Sequence, residues 1–209
     1  MSEFLLLAFE ITGTVAFAIS GAILGLEKKM DILGISILGL TTAVGGGIIR
    51  DLILGITPPM TFRHPIYATM AIGVSILVFA VAMKYSLFQG KWYDRIMLTM
   101  DSVGLGVFTV IGINTAYSLH NDYNMFLLIF VGVITGVGGG ILRDIMAGEQ
   151  PYIFVKHFYA TASIIGAVVC AVMWPYAGSI TSMLTGTAVV IVLRLCAAKF
   201  RWSLPKPKQ

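Results

Sequence analysis

Charged side chains are nearly missing from long stretches of this chain. Of its 209 residues only 14 are Lys or Arg and 10 are Asp or Glu, 11% together, while 57% are hydrophobic. A soluble domain of ordinary composition carries about 25% charged residues, so a membrane protein is indicated. The net charge of +4 does not point to nucleic acid, because the basic residues lie in short connections and the C-terminal tail without a patch of interleaved aromatics. Cysteine is equally sparse. Cys170 and Cys196 both sit in apolar runs, which suits small apolar packing and gives no disulfide framework. The three histidines, His64, His120 and His157, form no ligand pair at helical spacing and have no acidic cluster beside them, which argues against a metal enzyme. There is no Gly-x-Ser-x-Gly and no Cys/His arrangement that would supply a nucleophile. The sequence therefore implies neither an enzyme nor a cofactor. The first apolar run follows only Met1-Ser2-Glu3, with no basic segment ahead of it, and is expected to remain as a span.

What the chain does contain is seven apolar runs near the length of about 20 residues that a bilayer crossing needs. They cover 4–26, 32–55, 65–83, 96–119, 125–147, 158–174 and 179–198. The connections are too short for another domain, so residues 1–209 are expected to form one all-α transmembrane domain. Basic residues orient it. Lys28, Lys29, Lys84, Lys91, Arg95, Lys156, Lys199, Arg201, Lys206 and Lys208 fall on one side, and only Arg63 among loop residues on the other. The N-terminus is predicted outside and the 199–209 tail in the cytoplasm. Trp92, Tyr93, Tyr117, Tyr123, Trp174, Tyr176 and Trp202 lie at span ends, as an interfacial aromatic belt does.

One element occurs twice. Thr42-Ala43-Val44-Gly45-Gly46-Gly47-Ile48-Ile49-Arg50-Asp51 returns as Thr135-Gly136-Val137-Gly138-Gly139-Gly140-Ile141-Leu142-Arg143-Asp144. Each glycine in a helix costs roughly 1 kcal/mol relative to Ala, so the second and fifth helices are predicted to kink or open at the triplets. Opened backbone at membrane depth is tolerated only in packed protein or against water. The repeat extends beyond this element: Glu10, Gly13, Phe17 and Gly21 match Asp101, Gly104, Phe108 and Gly112, and Gly55, Pro58 and Tyr67 match Gly148, Pro151 and Tyr159. Residues 4–83 and 96–174 are thus two copies of a three-helix unit, with 179–198 an addition. Three spans is an odd number. The copies must enter the membrane from opposite sides, as an inverted repeat whose two glycine helices meet near mid-depth.

Glu10, Asp101, Arg50, Asp51, Arg143 and Asp144 are charged residues inside the spans, and at that depth they should face the bundle interior or water. The Arg-Asp pairs have two readings. One is a salt-bridge network, Arg50 with Asp144 and Arg143 with Asp51, locking the bent helices together. The other has the Asp carboxylates draw cations into a vestibule while the Arg residues fix them in place. Glu10 and Asp101 either hydrogen-bond between helices or belong to a pathway. The glycines have a packing alternative, since small residues let helices approach closely, and Gly21 and Gly25 leave a smooth face on the first span for oligomerisation. If the backbone is open, carbonyls of Gly45, Gly46, Gly47, Gly138, Gly139 and Gly140 can replace part of a cation's hydration shell, with Thr42 and Thr135 adding hydroxyls and Asp51 and Asp144 negative potential. A zwitterion carrier, with Arg50 and Arg143 binding a carboxylate, is the competing function.

The doubled Gly-Gly-Gly-x-x-Arg-Asp motif, with a Gly and a Pro following, on the second and fifth spans of a three-plus-three-plus-one chain, resembles bacterial members of the trimeric intracellular cation channel family. The resemblance covers essentially the whole chain. It implies a homotrimer in the inner membrane, with one path per subunit between the bent second and fifth helices, passing monovalent cations and K⁺ above all. Glycine transporter is a second label for the same bacterial branch, and the motif does not separate channel from carrier. Animal relatives carry a charged fourth-span motif; here that span holds Asp101 and no Lys after Arg95.

Overall fold

The computed structural model describes residues 2–85, 91–119, 124–155 and 158–202, all its regular structure being helical. Lys156, His157, His120, Tyr123 and the tail beyond Trp202 lie outside the described residues. The helices are α1 (Ser2–Glu27), α2 (Ile32–Ile53), the short α3 (Met60–Arg63), α4 (Ile66–Lys84), α5 (Lys91–Leu119), α6 (Met125–Met146), the short α7 (Tyr152–Val155) and α8 (Tyr159–Phe200). Among the described residues six helices are long and apolar enough to cross a membrane. The last has 42 residues, and at about 1.5 Å per residue it is roughly twice as long as a hydrocarbon core is thick. Gly178 divides it. Its backbone is non-helical, at φ 74°, three residues after Pro175, a conformation open to glycine at little cost. The limbs 159–177 and 179–200 are the expected sixth and seventh spans.

The repeat is visible in matched local chemistry. Asp31 caps α2 by accepting from the Gly34 amide at 2.7 Å, and Asn124 caps α6 by accepting from the Leu127 amide at 2.8 Å. Both helices end on a left-handed glycine, Gly55 at φ 74° and Gly148 at φ 70°. The amide after each glycine, Ile56 or Glu149, donates to the carbonyl of Asp51 or Asp144 at 2.8 Å. This is the six-to-one closure that satisfies orphan helix carbonyls.

Contacts between the copies are reciprocal, as a two-fold axis requires. Phe17 lies against Gly104 and Phe108 against Gly13, and the two rings meet at 5.2 Å. Around that crossing of α1 and α5 sits the main apolar core, with Ala18, Ala43, Val110, Ala167 and Cys170 among its members. Large apolar side chains such as Phe4, Leu33, Leu77, Phe126 and Leu184 remain exposed on the outer surface, where a bilayer would cover them. Cys170 and Cys196 are free.

Neither glycine helix opens. Both α2 and α6 are helical from first residue to last, so the expected freeing of carbonyls at the triplets is corrected. The glycines act by proximity instead. A β-carbon on Gly46 would overlap the carbonyl oxygen of Thr135, and one on Gly139 that of Thr42. Gly21 and Gly25 are also used internally rather than on a free face. A β-carbon on Gly21 would stand 2.5 Å from the Thr42 hydroxyl, and one on Gly25 would stand 3.0 Å from the Ile35 side chain.

Candidate functional site

The α2–α6 seam gathers Thr42, Gly45, Gly46, Thr135, Gly138 and Gly139, all buried. Thr42 and Thr135 donate their hydroxyls back to the Leu38 and Val131 carbonyls at 2.6 Å each, which leaves their oxygens only acceptor capacity. A β-carbon on Gly45 would stand 2.5 Å from the Leu142 side chain, and one on Gly138 would stand 3.3 Å from that of Ile49. No side chain separates the two backbones here. The seam is shut by direct helix contact, which glycine permits and van der Waals packing stabilises.

The Arg-Asp pairs do not exchange partners across the pseudo-axis. Each Asp instead binds its own neighbour: Arg50 Nε donates to Asp51 Oδ1 and Arg143 Nε to Asp144 Oδ1, both at 2.8 Å. The second carboxylate oxygen holds the following loop, accepting from the Met60 amide at the start of α3 or the Tyr152 amide at the start of α7, again at 2.8 Å. An anion at a helix N-terminus is well placed. Asp51 and Asp144 are fully engaged and buried. The expected crossed salt bridges fail because a side chain one residue away along the same helix, with a loop amide already in place, needs no reach across the bundle.

Here the two halves diverge. In the first, Glu10 accepts from the Tyr67 hydroxyl, and these residues line a cavity of about 420 Å³ with Thr14, Ala43, Val44, Gly47, Arg50, His64 and Phe108. It lies beneath the 54–65 connection, whose Met60, Thr61 and His64 also border it. In the second half the equivalent space is filled. Arg143 Nη1 donates to Asp101 Oδ1 at 2.8 Å and to the Ser20 hydroxyl at 2.5 Å. The Tyr159 hydroxyl donates to Asp101 Oδ1 at 3.3 Å, and Arg194 of the second α8 limb reaches Asp101 Oδ2 at 3.4 Å. Arg143 and Asp101 are both 0% exposed. At the rim of this half Lys28 pairs with Glu149, a hydrogen bond that raises the Lys28 ammonium above the ordinary lysine value.

Glu10 and Asp101 thus bond between helices, and Glu10 also faces the cavity. Arg194, Ser20, Tyr67 and Tyr159 were not singled out in the sequence as site residues. A lone Arg inside the last apolar run was the available signal for Arg194, and the doubled tyrosine for the other pair. Ser20 gave none, since serine is common in membrane helices.

The architecture is that of a multi-pass membrane protein built as an inverted repeat, with a cavity in its first half that Glu10 and Arg50 border. The family model described as "Glycine transporter" matches residues 7–83 and 98–175, one match for each copy. UPF0126 inner membrane protein YadS of Escherichia coli is 39% identical over 199 residues, covering 94% of this chain and 93% of that protein. UPF0126 membrane protein YvgT of Bacillus subtilis is 32% identical, covering 93% of each. Among solved structures, a prokaryotic TRIC channel in 0.5 M KCl superposes with a TM-score of 0.88 at 32% identity, over 97% of this chain and 100% of that one. The TRIC trimeric intracellular cation channel orthologue from Rhodobacter sphaeroides gives 0.85 at 32% identity, over 95% and 99%. This chain belongs to that family of trimeric intracellular cation channels, as a bacterial member.

Proposed function

We propose that the protein conducts monovalent cations, K⁺ foremost, through one pathway in each chain, and works as a homotrimer in the inner membrane. The observation that carries this is the cavity lined by Glu10, Gly47 and Arg50, in which the Arg50 guanidinium is already paired with the buried Asp51 and, among the described residues, the Glu10 carboxylate has no arginine bound to it. Excess negative charge in a cavity at membrane depth draws cations. The pathway continues along the α2–α6 seam, past Thr42, Thr135 and the six triplet glycines, and that seam is closed here. Conduction requires the helices to part. The basic-residue bias places the cavity mouth outside and the Lys28–Glu149 pair in the cytoplasm, a placement that thiol labelling of a cysteine at position 60 from the outside would check.

The test is current from purified protein in planar bilayers. Cation current reversing near the K⁺ equilibrium potential in a KCl gradient supports the reading. The competing function is a carrier for a small zwitterion such as glycine, favoured by the family description and by Glu10 and Arg50 facing one cavity. Absence of current together with saturable glycine counterflow would establish the carrier instead.

A further inference from the structure

The second half of the molecule is built like the first but carries one more charge. By repeat position Glu10, Arg50, Asp51 and Tyr67 correspond to Asp101, Arg143, Asp144 and Tyr159. Each set has two carboxylates and one guanidinium. With the carboxylates ionised and His64 neutral, each is left with one unbalanced negative charge. In the first set that charge borders a cavity. In the second it is met by Arg194, which comes from the helix that has no counterpart in the repeat.

Arg194 does not fit its place as a structural ion pair usually does. Among the described residues its one ionic contact, to Asp101, is long at 3.4 Å. Its Nε is buried and has no hydrogen-bond partner among the described residues, and the side chain is only 4% exposed. The guanidinium lies over the Tyr159 ring at 4.6 Å, a cation–π placement that suits any monovalent cation. A buried pair with an unsatisfied donor and loose geometry is poor compensation for desolvation. The contact is one that an incoming ion can replace.

We infer that the Asp101–Tyr159 pocket is a second monovalent-cation site on the pathway, and that in the closed state Arg194 occupies it as a tethered cation in place of K⁺. The inference rests on the channel reading. The first set takes its balancing cation from solution. The second takes it from the protein, and opening exchanges one for the other. Arg143 cannot play this part, because Asp144 and Ser20 hold it as well.

The test compares full-length wild type with Arg194→Met, Arg194→Lys and the double variant Arg194→Met/Asp101→Asn. Two quantities are read: open probability in symmetrical KCl, and melting temperature as KCl replaces N-methyl-D-glucamine chloride at constant ionic strength. Arg194→Met should raise open probability several-fold and make melting temperature climb more steeply with K⁺, since the vacated site now binds it. Arg194→Lys restores the tethered charge, and the double variant removes the need for one, so both should follow wild type in K⁺ dependence. Wild-type K⁺ dependence in Arg194→Met overturns the inference. So does a loss of stability shared equally by Arg194→Met and the double variant, which would make Arg194 a plain anchor. If Arg194→Met assembles only in K⁺-rich buffer while the double variant assembles in either salt, the inference stands; failure of both in every salt overturns it. A wild type without K⁺ current removes the channel reading alone, because the melting comparison still reports whether the site binds K⁺.

Discussion

Gly46 on α2 lies so close to the Thr135 carbonyl on α6 that a β-carbon at position 46 would overlap that oxygen. The obstacle is backbone, which cannot rotate aside as a side chain can. This one approach fixes the depth at which the two repeats meet, and Gly139 makes the same approach to Thr42 from the other helix.

Gly46→Ala and Gly139→Ala should therefore each force the seam apart. Overpacking of this kind costs about 1–3 kcal/mol, less the helix-propensity gain of Ala over Gly of roughly 1 kcal/mol. The expected result is a lowered melting temperature in detergent for each, with further loss in the double variant. Leucine at both positions should prevent assembly rather than merely occlude a path. Unchanged melting of both alanine variants would show that the seam is not in close contact.

The third glycines separate the halves. Gly47 borders the cavity, and a β-carbon there would meet only Arg50 Nη2, at 3.7 Å; one on Gly140 would stand 2.8 Å from the Tyr159 hydroxyl. Gly47→Ala should be neutral or stabilising by up to about 1 kcal/mol from propensity alone. Gly140→Ala should destabilise, by displacing Tyr159 from Asp101. Chemical unfolding of the pair decides it, and equal effects would contradict the asymmetry.

Removing each arginine should likewise have unequal consequences. Among the described residues, Arg143→Met leaves Asp101 buried with only the long contacts from Tyr159 and Arg194, and Asp144 with only the Tyr152 amide, and breaking such a network costs about 3–5 kcal/mol. Arg50 has 11% of its side chain exposed and borders the cavity, from which water can reach the space its side chain leaves. Arg50→Met should cost clearly less than Arg143→Met in the same unfolding assay. The reverse order would mean that the cavity is drier than its lining implies.

The sequence by itself determined the membrane class, the seven spans and the inverted repeat, because hydrophobic length and doubled residues are properties of the chain alone. It also located the α2–α6 glycines and the ionisable residues of both halves as the elements that matter. Only the tertiary structure decided what those elements do. A triple glycine favours an opened helix and a close helix contact equally from the viewpoint of one strand of sequence; the carbonyls of Thr42 and Thr135 on the facing helices settle it as contact. The pairing of Arg with its adjacent Asp depended on loop amides at Met60 and Tyr152, whose positions follow from how the chain turns after Gly55 and Gly148. The difference between an open half and a filled half could not be read from two matching motifs at all. It arises because the seventh span has nothing to pair with in the repeat, packs beside one copy, and brings Arg194 to Asp101 across 93 residues of sequence.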